Sequence, residues 1–95
     1  MTTFTVGDAA PALTGTVNTP LAGATVELHI RRQDKSVLTV PATITDAAAG
    51  AWSYEWAPGD LSVAGSWAVE AQVTYSSGKP QTFGPAAFYV RDQIA

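Results

Sequence analysis

The 95-residue sequence contains no cysteine and only one histidine, His29. Without cysteine, the chain has neither a disulfide framework nor a thiolate metal site, and thiol redox chemistry is excluded. A zinc site would need carboxylates to complete the ligand set around His29, whereas protein zinc sites usually combine several Cys or His ligands. We therefore predict no metal site and no cofactor site. Hydrophobic packing must then stabilise the fold.

Charged residues and long apolar runs are also scarce. Only 14% of the residues are charged, and five basic against eight acidic side chains give a net charge of -3. The basic residues are scattered except for Arg31-Arg32, whereas nucleic-acid binding requires clustered positive charge. No apolar run approaches the roughly 20 residues of a membrane-spanning helix, and the first residues lack the basic-then-apolar plan of a signal peptide. We expect neither nucleic acid nor a membrane as partner.

Apolar residues instead recur with period two, in short segments separated by turn residues. In residues 24–32, Val26, Leu28 and Ile30 share one face, and His29 lies on the opposite face. This pattern predicts a half-buried strand with His29 towards the solvent. The alternation continues in the next segment, where Pro41 removes a backbone donor and indicates a sheet edge or a bulge.

Large aromatic residues mark the second half of the chain. Trp52, Tyr54 and Trp56 alternate with polar residues, so their rings share one face of a strand. The longest alternation covers residues 67–75, which we predict to be a central strand. Residues 76–79 have the length and the glycine of a hairpin loop.

Segments 3–6 and 12–17 are weaker strand candidates, and the hairpin leads into residues 81–83 and then 86–91, which makes about seven strands. Short strands at regular spacing, without an internal repeat or a linker, are typical of one small β-domain. We therefore predict that residues 1–95 form a single all-β domain, an immunoglobulin-like β-sandwich of about seven mostly antiparallel strands.

No constellation of residues indicates catalysis. Four aspartates lie at predicted turns, where a carboxylate usually accepts hydrogen bonds from nearby amides: Asp8, Asp46, Asp60 and Asp92. Calcium would need converging carboxylates, and no Asp-x-Asp pattern indicates them. Glu55 and Glu70 are predicted to point outward, which excludes a glycosidase pair. Spacing leaves a Ser-His-Asp arrangement open, but no Gly-x-Ser-x-Gly elbow supports it. We predict no catalytic residue and no enzyme activity.

The aromatic stripe from Trp52 to Trp56 has two interpretations. Large aromatic side chains bury about 150 to 250 Å² each, and a domain of this size needs them in its core. An exposed row of rings would stack on sugars, so a carbohydrate-binding or adhesion module is an alternative function, with glycan as the partner. An accessory domain of an enzyme is a third hypothesis.

A series of short motifs also occurs in a characteristic order over residues 5–92. They are Gly7-Asp8 with Pro11, Leu13-Thr14-Gly15, Leu21-Ala22-Gly23-Ala24-Thr25-Val26 followed by Arg31-Arg32, Gly50 with Trp52, Tyr54 and Trp56, Pro58-Gly59-Asp60, Gly65 with Glu70, Val73 and Tyr75, and Gln81-Thr82-Phe83-Gly84-Pro85. In order and spacing, the chain resembles the N-terminal immunoglobulin-like domain of phage baseplate upper proteins and related small virion proteins of tailed actinobacterial phages.

This resemblance implies a non-enzymatic structural protein of a tailed-phage virion, made in the cytoplasm of the host bacterium. Its partners would be other virion structural proteins, in a homo-oligomer or a multi-copy assembly. A baseplate or tail position is favoured, with capsid decoration and the head-to-tail region as alternatives. The apolar end segments 1–12 and 83–95 are the candidate contact segments. We expect removal of residues 1–6 to impair assembly but leave a folded monomer.

Overall fold

The computed structural model describes residues 3–94, and these residues form an all-β fold without a helix. Met1, Thr2 and Ala95, which belong to the predicted contact segments, lie outside the described residues. The seven strands are β1 (Phe4–Thr5), β2 (Leu13–Thr16), β3 (Thr25–Arg31), β4 (Val37–Asp46), β5 (Ala51–Tyr54), β6 (Gly65–Thr74) and β7 (Pro80–Arg91). The all-β class and the number of strands are therefore confirmed. Within the described range, no helix has the length and apolarity to span a membrane.

The strands form one curled, mixed sheet in the order β1-β7-β6-β3-β4-β5-β2. Neighbouring strands are antiparallel except for β1 and β7, which run parallel. Strand β4 connects the two halves of the sheet, because its residues 37–42 pair with β3 whereas residues 43–46 pair with β5. A register shift between Ile44 and Asp46 accompanies this change of partner. The result is a half-barrel whose two ends are β1 and β2.

The inner face of the sheet carries the core that the alternation predicts. In β3 and β6, every second residue is buried, and the same face includes residues from all parts of the chain. The buried hydrophobic residues are Phe4, Leu13, Val17, Leu21, Val26, Leu28, Ile30, Trp52, Trp56, Leu61, Trp67, Val69, Ala71, Val73, Phe88 and Val90. None of the buried residues in the described range is polar or charged.

Aromatic rings fill one end of this core. Trp56 lies in the middle, with its ring centroid 5.3 Å from that of Phe4 and 6.2 Å from that of Trp67, both in edge-to-face geometry. The ring of Phe88 also packs in this cluster, with its centroid 5.5 Å from that of Phe4. Such pairs add about 0.5 to 1.5 kcal/mol to the effect of burial alone.

Phe4 changes the interpretation of the N-terminal segment. Its side chain is only 2% exposed, and its backbone lies beside Val90 in the parallel pairing of β1 with β7. The chain is therefore part of the folded core from Phe4 onward rather than a free arm. Strand β1 has only two residues, too few for an alternation to be recognised in the sequence. Removal of residues 1–6 would take an aromatic ring out of the core.

Strand β7 is longer than the sequence predicts. The alternation indicates two stretches, 81–83 and 86–91, and Pro80–Arg91 is one continuous strand paired with β6. The pairing register shifts between Val69 and Ala71, opposite Gly84-Pro85. A β-bulge of this kind interrupts the alternation without ending the strand. The hairpin loop before β7 is as predicted, with the Tyr75 amide donating to the Lys79 carbonyl at 3.0 Å.

Candidate functional site

An apolar groove of about 490 Å³ lies between β2 and the middle of β7 and is here called the β2–β7 groove. Strand β2 forms one wall, and Phe83, Gly84 and Ala86 of β7 form the other. Trp52, Val69 and Ala71 also line the groove, and none of the described residues around it is charged. The groove lies where the half-barrel remains open, so its position follows from the strand order.

Strand edges are exposed on both sides of the groove. Strand β2 pairs only with β5, and β1 covers β7 only at Val90 and Arg91. The second edge of β2 and the edge of β7 over residues 80–89 therefore have no neighbouring strand in the described part of the chain. Edge strands present unpaired backbone donors and acceptors, and these groups can pair with another chain.

Gly15 brings the backbone of β2 against the ring of Trp52. A Cβ atom placed on Gly15 would lie 2.8 Å from Cε2 of the indole, which is too close for any real side chain. A glycine inside a strand often marks a close approach by another group. The Thr14-Gly15-Thr16 sequence was therefore the signal that could have indicated this contact. Sequence reasoning missed it because the pairing of β2 with β5 was unknown.

The indole nitrogen of Trp52 has no hydrogen-bond partner among residues 3–94, although the side chain is only 6% exposed. The indole nitrogen of Trp56 is also buried without a partner in the described range, whereas the indole N–H of Trp67 donates to the Val63 carbonyl at 3.0 Å. An unpaired buried donor destabilises a fold by about 1 to 3 kcal/mol. Trp52 differs from Trp56 in that its side chain also lines the groove.

The core interpretation of the aromatic stripe is confirmed. Trp52 and Trp56 are buried, and Tyr54 is half-buried with its hydroxyl donating to the Asp60 carboxylate at 2.5 Å. Burial, together with this hydrogen bond, raises the pKa of Tyr54 to about 12. Tyr89 is the exposed large aromatic in the described range, at 52%. The three rings thus do not form a row at the surface.

His29 lies on the outer face of β3, the face predicted for it, but it is not surrounded by solvent alone. Its Nε2 is 2.9 Å from the Glu27 carboxylate and its Nδ1 is 3.2 Å from the Glu70 carboxylate. The hydrogen bonds to Glu27 and then to Glu70 raise the pKa of His29 above its ordinary value. The register of β3 and β6 places Glu70 directly opposite His29, which the sequence could not indicate. Glu70 and the exposed Glu55 both point outward, as predicted.

The predicted turn aspartates are dispersed over the fold. Asp60 accepts a hydrogen bond from the Ala57 amide at 2.8 Å, and Asp46 accepts one from the Ala49 amide at 3.2 Å. Their role in turns is therefore as predicted, while Asp8 and Asp92 are exposed. Residues 3–94 contain no group of three or more His, Cys, Asp or Glu side chains arranged to hold a metal ion.

The sequence matches no protein-family model and no curated protein. Function must therefore be inferred from the surfaces of the fold and from the order of the motifs. The strongest surface feature is the β2–β7 groove with its two strand edges.

Proposed function

We propose that the chain is a non-enzymatic structural protein of a tailed-phage virion and acts through protein–protein contacts. The observation that carries this proposal is the uncharged β2–β7 groove, which is bordered by two open strand edges. Exposed edges and apolar grooves bind protein segments, because backbone pairing provides affinity and side-chain pockets provide selectivity. The motif order over residues 5–92, which resembles that of phage baseplate domains, supports the virion context.

The proposed fold is a variant of the immunoglobulin-like sandwich. Strands β1, β7, β6, β3 and the first half of β4 would form one layer, and β5, β2 and the second half of β4 would form the other. The aromatic core would lie between the two layers, as in other sandwiches. The passage of β4 from one layer to the other keeps the sheet continuous.

A baseplate or tail position is the preferred location, and capsid decoration or the head-to-tail region is the alternative. Many copies in contact with other virion proteins would use the strand edges repeatedly. Carbohydrate binding has less support, because stacking on sugars requires exposed rings and both Trp52 and Trp56 are buried.

Immunogold labelling tests the virion proposal directly. An antibody raised against the chain is applied to intact particles of the phage that encodes it, with pre-immune serum as the control. Gold at the tail tip is the expected result, whereas gold over the head would favour capsid decoration. Absence of the chain from purified particles would contradict the virion role and favour a glycan-binding module.

A further inference from the structure

We propose that the β2–β7 groove accepts an extended, uncharged peptide segment of a partner protein, which pairs with the free edge of β2 as an additional strand. This inference deepens the proposed contact function and rests on it, because it names the chemistry of the partner at the same site.

Strand β2 is the longest strand with an unprotected free edge, since β1 at the other end of the sheet has only two residues. Natural sheets protect their edges with proline, charged residues or bulges. The edge of β4 contains Pro41, and the open edge of β7 contains Pro85 beside the register shift. Strand β2, with the sequence Leu13-Thr14-Gly15-Thr16, has neither a proline nor a charge. Its free edge is therefore open to pairing with a strand of about four or five residues.

The groove determines which side chains the added strand carries. Inward side chains of the added strand would enter an apolar space of about 490 Å³ lined by Phe83, Ala86 and Val69. Burial of an unpaired charge there would be strongly unfavourable. The inward positions of the partner segment are therefore apolar, and they alternate with outward positions that tolerate polar residues.

Trp52 provides an independent indication of a missing partner. Its indole N–H is buried without an acceptor, and the ring lies against Gly15, next to the edge that the added strand would use. In the proposed complex, an oxygen atom of the partner segment is the acceptor that residues 3–94 do not provide. Satisfaction of a buried donor then contributes to binding in addition to the apolar contacts.

A second copy of the chain does not supply such a segment through β2. The inward side chain of its own β2, Leu13, is only 4% exposed because it belongs to the core of that copy. Edge-to-edge pairing of two β2 strands would therefore leave the groove without side chains. A peptide segment that is extended and not part of a folded core fits both the edge and the groove.

The experiment uses the full chain, labelled with nitrogen-15, and capped seven-residue peptides in which Val, Ile or Phe alternates with Thr. The control peptides have the same composition, but their apolar residues are grouped together and followed by the threonines, so that they do not alternate. With alternating peptides, we expect the Trp52 indole N–H signal to shift downfield and the amides of Thr14 and Thr16, which face the free edge of β2, to gain protection from exchange. The Trp67 indole N–H, which already has a partner, is the internal reference.

Two matched variants on β7 locate the binding site. Ala86 and Ala87 are both exposed, but only Ala86 lines the groove. Ala86→Lys places a charge in the groove and is expected to weaken peptide binding at least tenfold, whereas Ala87→Lys is expected to change it less than twofold. Neither substitution alters the core, so both variants should fold.

Three results would overturn the proposal. The first is a failure of specific peptide binding, seen either as no Trp52 shift with any alternating peptide up to about millimolar concentration or as equal binding by the two variants. The second is concentration-dependent dimerisation that Ala86→Lys abolishes, which would make a second copy the occupant. The third is a Trp52 shift with glycans and not with peptides. Failure here would leave the gold labelling of particles unchanged, so it is distinguishable from failure of the virion proposal.

Discussion

Strands β6 and β2 both alternate inward and outward side chains, but β6 lies in the centre of the sheet and β2 at its edge. Strand β6 has ten residues and pairs with both β3 and β7, and its inward side chains are at most 6% exposed. Strand β2 has four residues and one neighbour, and a glycine occupies one of its inward positions. The centre is therefore held by pairing on both sides, whereas the edge depends on one strand and on the contact of Gly15 with Trp52.

The largest expected effect is at the centre. Trp67→Ala removes a side chain that is 1% exposed, contacts Trp56 and Phe88, and donates a hydrogen bond to Val63. We expect the free energy of unfolding to fall by about 3 to 5 kcal/mol, which is enough to unfold a marginal domain. Urea denaturation followed by circular dichroism measures this change. Tyr89→Ala on exposed β7 is the control, with an expected change within about 0.5 kcal/mol.

Phe4→Ala tests whether the N-terminal strand belongs to the core or behaves as an edge. Phe4 is 2% exposed and packs on Trp56 and Phe88, so its truncation should lower the free energy of unfolding by about 3 kcal/mol or more. Thermal denaturation of Phe4→Ala and of Thr3→Ala, an exposed neighbour, gives the comparison. Equal melting temperatures for the two variants would restore the free-arm interpretation of this segment.

Gly15→Ala tests the contact that holds the edge strand. The new Cβ would lie 2.8 Å from Cε2 of Trp52, so either the ring or β2 must move. Overpacking of this kind typically destabilises a fold by about 1 to 3 kcal/mol. The matched control is Thr14→Ala, whose side chain is exposed on the same strand. If both variants melt like the wild type, the close packing of β2 on Trp52 is wrong.

The smallest expected effect on stability is at His29, on the outer face of the central strand β3. Hydrogen bonds to Glu27 and Glu70 raise the pKa of His29 above its ordinary value of 6.5. The interaction of the protonated imidazole with the two carboxylates therefore stabilises the fold fully below pH 6.5. It is lost as the pH rises through the folded-state pKa, because the imidazole becomes neutral. The glutamates are exposed, and such pairs contribute at most about 1 kcal/mol. Denaturation at several pH values should show this loss in the wild type and not in His29→Gln. A histidine pKa below 6.5 by NMR would contradict the assignment.

Much of the fold could be predicted because one-sided burial produces a visible period of two. The inward residues of β3 and β6, the hairpin at 76–79 and the turn at Asp60 all follow from local pattern and turn chemistry. The continuity of β7 through Gly84-Pro85 was missed because a bulge interrupts the alternation while the pairing resumes beyond it.

The candidate site was less accessible to prediction. The β2–β7 groove exists because β1 covers only the end of β7 and because β2 has no second neighbour. Both properties depend on pairings between segments that are far apart in the chain. The internal glycine at position 15 indicates a close approach, but the sequence does not say that the approaching group is the indole of Trp52.

The sequence by itself determined that this is a β-protein with an aromatic core, without cysteine chemistry and with little charge. These properties follow from composition and from the local periodicity of apolar residues. Only the tertiary structure decided which strand edges are open, that Phe4 belongs to the core, and that His29 lies between two carboxylates. Non-local strand pairing sets these features, and pairing depends on register and partner choice, which alternation alone does not specify.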